Sequence, residues 1–210
     1  GVSIVVFDSQ ERKTRWQQNI QYSDTALDLT EDATLLVYGF ISLEVALWDG
    51  KQYVSIYSTK LPNYYVFNVV AKGNKIVVAW AAYDNLQTII QTYERGTDGL
   101  VKLVFTAPYG KSIQLQDVPA GLSITDDANW FVVGTWGNQT QSNPQVRLFS
   151  TTGDGTAVAT LATPGSVFGV DVANDAKDPK LVHVVAACKM THANTMGNGG
   201  GLYYLTYENK

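Results

Sequence analysis

Apolar and β-branched residues recur along the chain in runs of five to eight, broken by Gly, Asp, Asn and Pro. None of these runs keeps the i, i+3, i+4, i+7 spacing of an amphipathic helix for three turns. The pattern predicts an all-β chain in which helix is close to absent. One kind of strand ends in an acidic tight turn: Ile4-Val5-Val6-Phe7-Asp8, Val45-Ala46-Leu47-Trp48-Asp49-Gly50, Ile89 to Tyr93 running on to Asp98-Gly99, and Val146 to Ser150 running on to Asp154-Gly155. Asp-Gly between two strands signals a hairpin, because glycine takes φ > 0 without steric cost. A fifth copy, Leu202 to Glu208, lies at the end of the sequence.

A second hairpin type alternates with the first. It pairs Leu27-Asp28-Leu29 with Thr34 to Gly39, Phe67 to Ala71 with Lys75 to Trp80, Leu122 to Asp127 with Trp130 to Gly134, and Phe168 to Val172 with Leu181 to Ala186. The turn residues Asp49, Asp98 and Asp154 stand 49 and then 56 residues apart. A repeat of roughly 40 to 55 residues that carries four strands predicts a β-propeller blade. The expected division is a partial blade over 1–20, blades over about 21–61, 62–108 and 112–163, and a terminal blade over 164–210.

Leu47-Trp48-Asp49, at the end of a third strand, resembles the Trp-Asp of WD-repeat blades. Val6 to Gln10 running to Thr14-Arg15-Trp16 resembles the strand–turn–Trp stretch of quinoprotein-like blades. The resemblance is to the β-propeller superfamily and implies the fold rather than an activity. Counted from the innermost strand outwards as a, b, c, d, the chain opens on c and d and closes on a, b, c. Two closures follow. Lys13 to Gln17 supplies the missing outer strand of a four-bladed ring, or the chain is the C-terminal part of a larger, about seven-bladed ring completed by another polypeptide. The surplus strand Gly1 to Asp8 favours the second.

Charge and composition narrow the chemistry. Of the 210 residues 45% are hydrophobic and 16% are charged, and the net charge is −4. The acidic balance and scattered Lys and Arg argue against nucleic acid as a partner, and no apolar run is long enough to insert in a membrane. A lone Cys188 excludes an intrachain disulfide and a multi-cysteine zinc site. Gly110-Lys111-Ser112 ends like a phosphate-binding loop, but Phe105 stands where that loop needs its first glycine. No G-x-S-x-G or H-E-x-x-H is present, and no cofactor is implied.

The long loops between strands b and c and between d and a are the natural recognition surface, because their length exceeds what a turn needs. Tyr64, Tyr65, Tyr109 and Trp136 are the expected aromatic anchors; Asn138, Asn143, His192, Asn194 and Asn198 supply neutral hydrogen bonds beside them. If strand geometry persists beyond Leu181, then Cys188, Met190 and His192 share a face, a donor set suited to Cu(I), but the spacing is not diagnostic, no metal site is assigned, and Cys188 reads as a packing residue. His183, in an apolar strand, reads as a core histidine with a hydrogen-bond partner. Asn138-Gln139-Thr140 is a glycosylation sequon and, with the low charge, points to a secreted or cell-surface protein. The expected function is non-catalytic binding of a protein or glycan partner, in an assembly with a complementary propeller chain or a second copy. The alternatives are a hydrolase, lyase or oxidoreductase fragment with its site over the central channel, and a structural subunit of an extracellular assembly.

Overall fold

The computed structural model describes residues 2–21, 26–110, 112, 115–138 and 143–209. These residues form seventeen strands and no helix. The head sheet pairs β1 (Val2–Asp8) with β2 (Lys13–Ile20). Three four-stranded antiparallel meanders follow. The first runs β3 (Ala26–Leu29), β4 (Leu35–Gly39), β5 (Leu43–Trp48) and β6 (Tyr53–Thr59). The second runs β7 (Tyr64–Lys72), β8 (Lys75–Ala82), β9 (Thr88–Arg95) and β10 (Val101–Pro108), and the third β11 (Gly121–Ile124), β12 (Trp130–Gly134), β13 (Val146–Ser150) and β14 (Ala159–Leu161). The tail sheet has three strands: β15 (Val167–Asn174), β16 (Leu181–Lys189) and β17 (Gly200–Glu208).

The tight turns hold by one device. Asp8, Asp49, Asp98 and Asp154 each turn Oδ1 back to accept a backbone N–H two residues on, from Gln10, Lys51, Leu100 and Thr156. Gly50, Gly99 and Gly155 follow their aspartates at φ of 98°, 79° and 91°, where a side chain would be strained. On the a-to-b turns, Leu29-Thr30-Glu31-Asp32-Ala33 and Ile124-Thr125-Asp126-Asp127-Ala128 are built alike. Thr30 and Thr125 donate to Asp32 and Asp127 and accept from the N–H of Leu35 and Trp130.

Period-2 alternation then gives each interior sheet two apolar faces. In β8 every residue is buried: Ile76, Val78 and Trp80 pack towards the first meander, and Val77 and Ala79 towards the third. In β12, Phe131 and Val133 face the second meander, while Trp130 and Val132 face the tail sheet. Ile4 and Val6 of the head sheet cover Leu36, Ala46 and Tyr53 of the first meander. The five sheets thus stack as layers of one arc, with β3 beside β7, β7 beside β11 and β11 beside β15. Polar residues at matching positions on these inner strands tie neighbouring layers. Asp28 Oδ2 accepts the N–H of Ala71 at 2.7 Å, and the Ser123 hydroxyl donates to Asp171 at 2.7 Å.

The ring is not closed. β2 pairs with β1 and not with β17, so Lys13 to Gln17 does not supply an outer strand to the tail sheet. The physical reason is that Trp16, on β2, packs edge-on against Tyr53 with centroids 5.2 Å apart and holds the head sheet against the first meander.

Candidate functional site

Meander topology sends the short turns to one face of the arc and the long connections to the other. On the second face the described residues of three loops are knit together: 109–110, 112 and 115–120 after β10, 135–138 and 143–145 between β12 and β13, and 190–199 between β16 and β17. His192 is the clasp. Its Nε2 lies 2.9 Å from the Gln116 carbonyl and 3.1 Å from the Gly137 carbonyl, and its Nδ1 lies 3.1 Å from the Asn194 N–H. Carbonyls only accept and an N–H only donates, so Nε2 carries the proton and Nδ1 is the acceptor. Asn194 and Gln116 bond reciprocally, through side-chain amide to side-chain carbonyl and backbone N–H to Asn194 Oδ1. The Ser166 hydroxyl joins the second loop to the third, donating to the Trp136 carbonyl and accepting from the Ala193 N–H.

Under the clasp lies a charged group that sequence reading did not single out. Asp117 is wholly buried; its Oδ1 accepts the Gly137 N–H at 2.7 Å. Burial pushes its carboxyl above the ordinary range, while hydrogen bonds from Thr135 and Gly137 and the nearby Arg147 and His192 pull it back. The Arg147 guanidinium lies 3.8 Å over the Tyr109 ring. Tyr109 is also wholly buried, and burial pushes its phenol well up. It is therefore a floor for the loops rather than an exposed anchor, because its backbone N–H to the Thr88 carbonyl draws it beneath the loop.

Trp136 is half-buried and forms an aromatic group with Phe168 at 5.8 Å and His192 at 6.3 Å. Phe168 is 49% exposed and was not among the expected anchors. It is the extra residue of a β-bulge between Val167 and Gly169, and the bulge turns it outward to the loop face. Tyr64 and Tyr65 are half-buried and form a second aromatic group on the same face. The Tyr64 hydroxyl donates to Gln87 at 2.8 Å and that of Tyr65 to Asn85 at 2.7 Å, while Tyr65 stacks on Tyr83 with centroids 6.1 Å apart. The two groups are joined through backbone bonds from Asp117 to the Asn85 carbonyl and from Ser112 to the Leu86 carbonyl.

Of the remaining expected residues, Asn143 donates to the Gly110 carbonyl, Asn138 is half-buried, and Asn194 and Asn198 are exposed. Gln139 and Thr140 of the sequon lie outside the described residues. Cys188, Met190 and His192 do not share a face. β16 ends at Lys189, the Cys188 thiol is buried between the third meander and the tail sheet, Met190 is exposed, and both nitrogens of His192 are engaged. His183 is not a core residue either; it stands half-buried on the outer face of the tail sheet. On the inner side of the arc a cleft of about 600 Å³ is lined by Asp28, Val70, Ser123, Glu31, Lys72 and Asp126. The Lys72 ammonium closes its lower end, 3.1 Å from Glu31 and 2.8 Å from Asp126.

No protein-family model matches the chain, and no curated protein matches it. Solved structures do. Hydrazine synthase from Kuenenia stuttgartiensis is similar at a TM-score of 0.61 and 15% identity, over 99% of this chain and 57% of that one. A chain of the mitotic checkpoint complex gives 0.59 at 10% identity over 88% and 53%. The β-propeller domain of Cps50 (Swd1) from Myceliophteria thermophila gives 0.52 at 14% identity over 78% and 49%. The chain therefore has the β-propeller fold and spans about half the length of these neighbours. At such identities the likeness carries the fold and no activity.

Proposed function

We propose that this propeller is a non-catalytic binding module that engages a protein partner through its loop face. The observation that carries the reading is the locking of three loops by His192, Asn194 and Gln116 around a buried Asp117, beside two aromatic groups, Tyr65 with Tyr83 and Trp136 with Phe168. A loop face held by hydrogen bonds loses little freedom on binding, which is the condition for affinity from a modest area. Tyr, Trp and Phe with neutral amides between them match the composition of protein contact sites. One similar chain belongs to the mitotic checkpoint complex.

The test is quantitative capture of partners by the full chain, by a loop-face variant (Trp136→Ala with Phe168→Ala) and by a turn-face variant (Glu31→Ala with Asp126→Ala). A partner bound stoichiometrically by the wild-type chain and the turn-face variant, and lost from the loop-face variant, supports the reading. Equal retention by all three sinks it.

A further inference from the structure

The clasp at His192 is built on one protonation state of its ring. Nε2 donates to the carbonyls of Gln116 and Gly137, at 2.9 and 3.1 Å, and Nδ1 accepts the Asn194 N–H at 3.1 Å. Only the neutral imidazole has a lone pair for that last bond; the imidazolium is a donor at both nitrogens. A second proton leaves the two carbonyl bonds in place and sets a ring N–H against the N–H of Asn194. Asn194 carries more than this one bond. Its Oδ1 accepts the Gln116 N–H at 3.3 Å and its Nδ2 donates to Gln116 Oε1 at 3.1 Å, so it ties the third loop to the first. Histidine is the side chain that in ordinary surroundings changes charge between pH 8 and 5.

The groups around the ring decide which part moves. From the first loop, the buried Asp117 attracts a charged ring. Arg147 of β13 acts on Asp117 in turn, with its guanidinium over the buried phenol ring of Tyr109. The second loop meets the imidazole with the Trp136 indole, edge to face at 6.3 Å. In the third loop, the Lys189 ammonium is bonded to the Thr195 carbonyl at 2.8 Å. An imidazolium is thus retained by Asp117 and by the two carbonyls that Nε2 serves. Asn194 is exposed and yields instead. Its neighbour Ala193 keeps a separate tie, the N–H donated to the Ser166 hydroxyl at 2.7 Å. All the clasp bonds run between the three loops, so none depends on what covers the outer faces of the arc.

We propose that His192 is a proton-operated latch on the loop face: uptake of a proton at Nδ1 expels the Asn194 arm and frees the third loop from the first. One proton passes from solvent to Nδ1. The bond from the Asn194 N–H to the ring breaks, and the two bonds between Asn194 and Gln116 go with it. The sign follows from the donor inventory. The latch is closed while the ring is neutral and opens as the pH falls through the His192 titration. It concerns the loops themselves and operates whatever the face binds.

The full chain, with no partner present, tests this by NMR titration across the range in which histidine ordinarily titrates, about pH 8 to 5. Ring-nitrogen shifts report the protonation of His192. Water-exchange rates of the Asn194 and Ala193 amides, each divided by its unprotected rate at that pH, report the latch. The protection of Asn194 relative to Ala193 is expected to fall about fivefold or more as His192 titrates, the loss of one hydrogen bond. His192→Gln has no titrating ring and is expected to hold the ratio constant. The chain has one other histidine, His183, bonded to Asp175 at 2.8 Å and to the Tyr204 hydroxyl at 2.5 Å. His183→Gln is expected to keep the full response, which assigns it to His192 even if His192→Gln fails to fold. A ratio that stays constant while His192 titrates, a ring that stays neutral throughout, or a fall that survives His192→Gln overturns the proposal.

Discussion

The second meander and the tail sheet are made of the same kind of strand and end in different surroundings. β8, Lys75–Ala82, and β16, Leu181–Lys189, are both central, apolar strands paired on both sides. β8 is buried on both faces, because a sheet packs against each of them. β16 buries Val182, Val184, Ala186 and Cys188 against the third meander, while Val185 and Ala187 face outward and are exposed. Burying one such valine contributes about 1.5–3 kcal/mol relative to leaving it exposed. The same residue type is therefore buried in one layer and exposed in the other. What differs is the number of layers packed on the strand, not the strand.

The largest expected effect breaks the interior side of this contrast. Trp80→Ala, at a site with no exposed surface, should cost about 3–5 kcal/mol in chemical denaturation, since it empties volume between two meanders. A loss below 1 kcal/mol would mean that the second meander is not the centre of the core. His192→Ala comes next. It strands the carbonyls of Gln116 and Gly137 and the Asn194 N–H, for a loss of about 1–3 kcal/mol. Amide exchange should quicken at Asn194 while β8 stays protected, which shows that the tail sheet is anchored through its loop.

Two carboxylates sharpen the contrast through pH, with opposite signs. Asp175, on the tail sheet, has its pKa depressed to about 2 by His183 and two backbone N–H groups. Its contribution to stability is complete above its ordinary value of 3.8 and is lost as the pH falls towards about 2. Melting temperatures of wild type and Asp175→Asn should converge across that window. Asp117 is raised instead, chiefly by burial, so its contribution is complete below its ordinary value of 3.8 and declines as the pH rises through its elevated folded value. Asp117→Asn should remove that decline. If the two variants shift the same limb of the stability profile, the assigned environments are wrong. The smallest effect is Val185→Ala on the outer face of β16, expected within about 0.5 kcal/mol of wild type in the same denaturation measurement.

Much of this architecture was readable one strand at a time. The short apolar runs Leu35 to Tyr38 and Trp130 to Val133, and Asp-Gly at 49–50, 98–99 and 154–155, are local signals with a local cause. The loop face was readable as length and aromatic content, and Trp136, Tyr64 and Tyr65 do lie on it. Tyr109 was not readable as buried, because the segment after β10 looks polar and only its folding over Arg147 and Thr88 draws the ring inside. Asp117 and Arg147 gave no signal, since an aspartate or arginine in a strand or loop is usually solvated, and thirty residues separate these two. Phe168 sits in an apolar run that alternation would place in the core; a single bulge reversed it. His183 looked like a core residue because its strand is apolar, but no sheet of the described residues packs on its face, so it is half-exposed.

Sequence alone determined the β class, the four-strand repeat and the positions of the tight turns, all of which follow from side-chain period and from the φ that each turn residue tolerates. Only the tertiary structure decided which faces are covered, that β2 stays with β1 so the ring is open, and which distant side chains meet at Asp117 and at Tyr204. The physical reason is that a strand writes its two faces into every second residue, but what lies against each face is set by packing between layers far apart in the chain.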